Sequence, residues 1–175
     1  MPESMKLSLS RKIEKTFPKT ISMPVELSKM FDFIEKNNFS YFQTDIQFYP
    51  MQQAEITDYF NNEDMAEHFG LLGTTGDGSI LAIWEDKEIQ RFIHLGSDGD
   101  NWLILASNPI DFIRVIAIGY DYFGKEEIVN QPKNSRIEKS FQEWVKETFS
   151  VEIPKSGQAI VDLESKKLID WIENE

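Results

Sequence analysis

Cysteine is absent from the 175 residues, and histidine occurs only at His68 and His94. A disulfide framework and a thiolate metal site are thereby excluded, and two histidines are too few for the common zinc sites. No apolar run approaches the roughly 18 residues that a membrane-spanning helix requires. The polar start, Met-Pro-Glu-Ser-Met-Lys, lacks the apolar stretch of a signal peptide, so a cytoplasmic location is the expectation. The most telling absence is of positive charge: no Lys or Arg occurs between Lys36 and Lys87.

The chain as a whole carries 18 Lys and Arg against 30 Asp and Glu, a formal charge of −12. Thirteen of those acids, from Asp45 to Asp111, fall within residues 37–113, where Lys87 and Arg91 are the only bases, giving a local −11. A segment that cannot neutralise itself projects a negative field of several kT, which repels DNA and anionic lipid and attracts a basic partner. The expectation is therefore no nucleic acid and no membrane. Residues 1–20 differ in sign, with five bases and two acids. They read as a mobile basic lead-in over 1–21 or as a short basic helix.

Forty-one percent hydrophobic residues suffice for one core, and the length suits a single domain, expected over 22–175 with a C-terminal helical extension from about 133. Leu27, Met30, Phe31 and Ile34 recur at helical spacing behind Pro24, up to about Lys36. Residues 45–49 alternate as a strand with Ile46 and Phe48 inward, and 54–60 suit a short helix. Three runs, 79–84, 89–95 and 102–106, are β-branched or aromatic and separated by Gly- and Asp-rich turns, predicting an antiparallel meander. The first and third are apolar on both faces and are expected to be central strands. Asn108-Pro109 opens, and Gly119 closes, a helix apolar nearly all round. Ser135 and Glu138 have capping-box spacing ahead of a helix striped by Ile137, Phe141, Trp144 or Val145, and Phe149. A last amphipathic segment is expected over 160–172, its Leu163, Leu168 and Ile172 packed on the body. The class is α+β, with a central, mostly antiparallel, curved sheet and helices packed on it.

Catalytic signatures are sparse. The Gly-rich turns Gly73-Thr-Thr-Gly76-Asp77-Gly78 and Gly96-Ser-Asp98-Gly99-Asp100 lack the Lys-Ser/Thr pair of a phosphate loop. For a calcium loop starting at Asp98, the fifth and twelfth positions hold Trp102 and Pro109, which are not ligands. Hairpin turns account for both segments, because Asp-Gly supplies positive φ. An acid/base pair of His94 with Asp98 or Asp100 is conceivable, but a structural histidine is the stronger reading, and no nucleophile elbow is present. No cofactor, no metal site and no catalysis are expected. Trp84 and Trp102 flank acids and are expected to be partly exposed. With Glu85, Asp86, Asp98 and Asp100 they form the expected partner-binding set, brought near one edge of the sheet by the meander.

The order Phe69-Gly70, Gly76-Asp77-Gly78, Ile80-Leu-Ala-Ile-Trp84, Ile93-His-Leu-Gly-Ser97, Trp102-Leu-Ile-Leu-Ala106, Phe112-Ile-Arg-Val-Ile and Gly119 resembles the SUKH superfamily of bacterial immunity proteins. Relatives of that superfamily include fungal regulators of cell-wall glucan synthesis. Met23-Pro24 through Asn37-Asn38 looks like the family's first helix, with Asn38 and Phe39 where glycines are usual. Phe141-Gln-Glu-Trp-Val145 through Ile172 is similar to an extension in some members. The resemblance covers about residues 22–172. It implies an α+β fold with a curved sheet and a non-catalytic role: neutralising a polymorphic toxin domain, often a nuclease with a basic active site, by direct contact. The alternatives are a regulatory or scaffold domain like the fungal relatives and, third, an uncharacterised hydrolase.

Overall fold

A computed structural model describes residues 6–38, 44–133 and 137–175. The elements in chain order are α1 (Leu9–Glu14), α2 (Val25–Lys36), β1 (Gln47–Phe48), α3 (Ala54–Phe60), α4 (Glu63–Ala66), β2 (Phe69–Thr74), β3 (Ile80–Asp86), β4 (Ile89–Leu95), β5 (Leu103–Ala106), α5 (Pro109–Ile118), α6 (Lys125–Ile128), α7 (Lys139–Phe149) and α8 (Lys166–Asn174). The strands form one antiparallel sheet in the order β1-β2-β3-β4-β5, so the α+β meander expected from the turn spacing is present.

Period-2 alternation divides the strands between two cores. Leu81, Ile83, Phe92, Leu103 and Leu105 face α1, α2, α5, α6 and α7. Ile80, Ala82, Trp84, Ile93 and Ile104 face α3, α4 and α8. Stacked rings tie the layers of the first core: Phe92 on Phe112 at 4.9 Å joins β4 to α5, and Phe33 on Trp144 at 4.8 Å joins α2 to α7. α5 is buried on nearly every side; Asn108 accepts from Asp111 N–H at 2.8 Å, Pro109 occupies the first turn, and Gly119 ends the helix at φ +100°.

β2 is missing from the strands expected above. Its sequence, Phe-Gly-Leu-Leu-Gly-Thr, reads as turn-like because of the two glycines, yet those glycines mark where neighbours press on the strand. A Cβ on Gly73 would lie 2.1 Å from the Gln47 carbonyl oxygen, so only glycine lets β1 pair there, next to the irregular register between Leu71 and Gly73.

Three further expectations are corrected. Of the two readings of residues 1–21, the short helix is present over Leu9–Glu14, and it belongs to the body rather than to a lead-in ahead of residue 22: Ser8 caps α1 and Ile13 is fully buried. β5 is an edge strand, not a central one. Its outer edge is covered because Ile104 N–H donates to Ser165 Oγ at 2.7 Å and Asp162 N–H to Ile104 O at 3.1 Å. The same contacts prevent a continuous helix over 160–172: Asp162 bridges to the strand, its carboxylate accepts from Glu164 and Ser165 N–H, and α8 starts only at Lys166. Leu163 thus serves the first core, while Leu168 and Ile172 serve the second. Ser135 of the expected capping box and Phe39 of the first-helix pattern lie outside the described residues.

Candidate functional site at the acidic end of the sheet

In a meander, successive turns alternate between the two ends of the sheet. Ile80 pairs with Leu95 at one end of the β3–β4 hairpin, and Asp86 pairs with Ile89 at the other. The turns 75–79 and 96–101 therefore share the first end. The turn Lys87-Glu88, with Glu85 and Asp86 beside it, sits at the second, about 20 Å away for seven-residue strands. The expected grouping of Glu85, Asp86, Asp98 and Asp100 at one edge is thus incorrect; one strand length separates the pairs.

Trp84 requires a second correction. It is fully buried in the second core, 5.6 Å from the Trp171 ring, because position 84 shares a face with Ile80 and Ala82. Trp102 is half-buried, as expected, and is held at the first end: its indole N–H donates to Tyr59 Oη at 3.0 Å, and Tyr59 donates to Gly96 O at 2.7 Å.

Four separated segments are cross-linked at this first end. Ser97 N–H donates to Ser79 Oγ at 3.1 Å, joining the two turns. Gly76 N–H donates to Asp121 O at 3.0 Å, and Asp45 N–H to Asp121 Oδ1 at 3.0 Å, which draws in the segments before β1 and after α5. Asn101 Nδ2 donates to Phe123 O at 2.8 Å. The result is a surface bearing Asp45, Asp77, Asp98 and Asp100, all exposed, and a half-buried Asp121. Tyr122, 45% exposed, stands beside them and donates to Glu127 Oε1 at 3.2 Å. A cavity of about 320 Å³ adjoins the surface, lined in part by Tyr120, Asp121, Tyr122, Glu126 and Glu127. Asp45, Asp77 and Asp121 were not singled out from the sequence. Asp77 was legible only as turn chemistry, and the other two are joined by a contact 76 residues apart in the chain.

These carboxylates divide by role. Partial burial opposes ionisation of Asp77, yet the Thr75 and Ser79 hydroxyls and the Ser79 N–H bond it and hold its carboxyl below the ordinary range. Asp77 therefore builds the turn. Asp98 and Asp100 have no side-chain hydrogen-bond or ion-pair partner among the described residues, and Asp100 acts on His94 and Tyr59 through its field alone.

Among the described residues His94 makes no hydrogen bond or ion pair with a carboxylate. Burial lowers its pKa, against the raising influence of the Asn101 carbonyl and of Asp77 and Asp100, and its Nδ1 lies 2.9 Å from Asn101 O. The ring is 1% exposed and meets Phe123 edge-on, as a structural histidine does. Among the described residues no cluster of His, Asp and Glu could hold a metal ion, and no helix is long and apolar enough to cross a membrane. Compared with family models, curated proteins and solved structures, the chain finds no match.

Proposed function

We propose that this chain is a non-catalytic, cytoplasmic immunity protein of the SUKH type, which neutralises a basic toxin domain by covering it with the acidic end of its sheet. The observation that carries the reading is the gathering of Asp45, Asp77, Asp98, Asp100 and Asp121 from four chain segments onto one end, the first two from a stretch with no Lys or Arg from 37 to 86. Asp98 and Asp100, without a side-chain hydrogen bond or ion pair among the described residues, keep their field for an incoming cation, and a groove shaped for a polyanion is the natural complement. Trp102 and Tyr122 supply partly exposed rings at the same end, the residue types enriched at binding hot spots. The resemblance lends support of its own kind: the antiparallel meander follows the motif order, and Asn38 adopts φ +55°, a backbone state that the family's usual glycine there would take without strain.

The experiment is co-expression with any toxin domain found encoded beside this gene, scored by cell survival and by association rate in vitro. Protection should be lost on Asp98→Lys with Asp100→Lys, and retained on Glu143→Lys with Glu147→Lys in α7. Glu85→Lys with Asp86→Lys, at the far end, should matter less than the first pair. Association should slow by at least about tenfold between low and physiological salt. A chain that neither binds nor protects against such a toxin would leave the regulatory-domain reading in its place, and loss confined to the α7 pair would move the interface to the C-terminal helices.

A further inference from the structure

Arg91 is anomalous. It lies in β4, is 8% exposed, and its guanidinium carbon stands 5.3 Å from the centre of the Trp84 ring, its partner across the strands. Its buried Nη1 has no hydrogen-bond partner, and among the described residues no carboxylate comes within ion-pair distance of it. The indole Nε1 of Trp84 is likewise buried and unpartnered. Two adjacent strand-paired residues thus present N–H donors without an acceptor, in a chain otherwise rich in acids.

Guanidinium stays protonated under all physiological conditions, so the charge cannot be shed. Stacking on an aromatic face offsets part of the desolvation, but the buried Nη1 is left unsatisfied. A trapped water would answer the hydrogen bond and leave the charge uncompensated. What matches both is an oxyanion. We infer that Arg91 and Trp84 form a receiving site for a carboxylate brought from outside the chain. A monoanionic carboxylate is favoured over phosphate because Asp86 lies two residues along β3 on the same face as Trp84, and its repulsion doubles against a dianion. The site faces the α8 side of the sheet and is independent of the acidic end.

The test is thermal melting of the full chain at fixed pH and ionic strength, in chloride, acetate or inorganic phosphate, with a blocked Ala-Glu-Ala peptide as a further arm. Acetate reports a small free acid and the peptide a protein-borne side chain. In chloride, Arg91→Met should melt at or above wild type, because an uncompensated charge has been replaced by an apolar side chain of similar length. Wild type should gain melting temperature with acetate or peptide, and Arg91→Met should not. Should Arg91→Met fail to fold, Arg91→Lys and the shift of the Trp84 indole N–H resonance during acetate titration carry the test, with half-saturation raised about tenfold or more by the lysine. Equal responses in wild type and variant, no response to any carboxylate, or a response to phosphate alone would overturn the inference. So would a large loss of stability on Asp86→Asn, which would identify an internal partner.

Discussion

The two ends of the sheet handle the same geometric problem in opposite ways. At the acidic end, the turns place φ +83° and +75° on Gly78 and Gly99, which carry no Cβ, and +50° on Asn101, a side chain that tolerates the left-handed region. At the other end, a two-residue turn places φ +50° on Lys87 and +68° on Glu88, two side chains ill suited to the left-handed region. The difference teaches where the fold is specified. The acidic end is cross-linked to three other segments and leaves Asp98 and Asp100 without an internal side-chain hydrogen bond or ion pair among the described residues. The Lys87-Glu88 end is held in place by the hairpin on which it sits.

The largest effect is expected from disturbing the cross-linked end. A Cβ at Gly96 would sit 2.2 Å from the Asp100 carbonyl oxygen, backbone against backbone, so Gly96→Ala must open the turn. Loss of Gly96 N–H to Asp100 O and of the Tyr59 contact follows, and chemical denaturation should show a destabilisation of about 3 kcal/mol. Gly99→Ala, whose new Cβ meets nothing within 4 Å, should cost only about 1 kcal/mol, from its positive φ alone. If both variants lost the same amount, cross-linking at this end would not be what distinguishes it.

The opposite end should respond with the opposite sign. Lys87→Asn with Glu88→Gly installs the residue pair that a turn with two positive φ values prefers, and should stabilise by about 1–2 kcal/mol in the same measurement. No gain would mean that the strain is absent in solution.

These contrasts bear on what could be read from the residues. Asn108-Pro109 and Gly119 bounded α5 without ambiguity, and apolar alternation located β3 and β4, because local chemistry alone decides those elements. β2 escaped because its glycines answer to Gln47 and to the Phe17 ring, contacts invisible to a reading along the chain. The site was half legible for the same reason. Asp98 and Asp100 stand out as an acidic turn, whereas the addition of Asp45 and Asp121 and the removal of Glu85 and Asp86 follow from which end each turn occupies. Trp84 was misjudged because a tryptophan beside acids looks exposed until its strand face is known.

A smaller effect, confined to acid pH, should come from the histidine under the acidic end. The folded state holds the His94 pKa below its unfolded value, so the unfolded chain binds more protons as the pH drops. The contribution is fully present above about pH 6.5, the ordinary histidine value, and is lost progressively below it. His94→Gln should flatten that part of a stability profile between about pH 7 and pH 5. A profile unchanged by the substitution would place the acid sensitivity elsewhere, for instance in Asp77, whose lowered pKa confers stability that is lost only as the pH falls below about 4.

The smallest effect on stability is expected where the largest effect on binding is proposed. Asp98 and Asp100 are exposed and make no internal side-chain contact among the described residues, so reversing both to lysine should change folding free energy by about 0.5 kcal/mol or less per site. The sign should favour the variant, since two positive charges relieve repulsion among Asp45, Asp77 and Asp121 at the same end, and the gain should shrink as salt is added. Glu85→Lys with Asp86→Lys offers the control at the other end. Both side chains are half-buried, and position 86 shares the strand face of Trp84 and its partner Arg91, so a lysine there meets an uncompensated cation and the pair should destabilise instead. Denaturant midpoints at two salt concentrations separate the two pairs: a salt-sensitive gain at 98 and 100 against a loss at 85 and 86. Equal behaviour of the pairs would mean that the negative field is spread over the whole surface, and the acidic end would lose its claim to be the docking face.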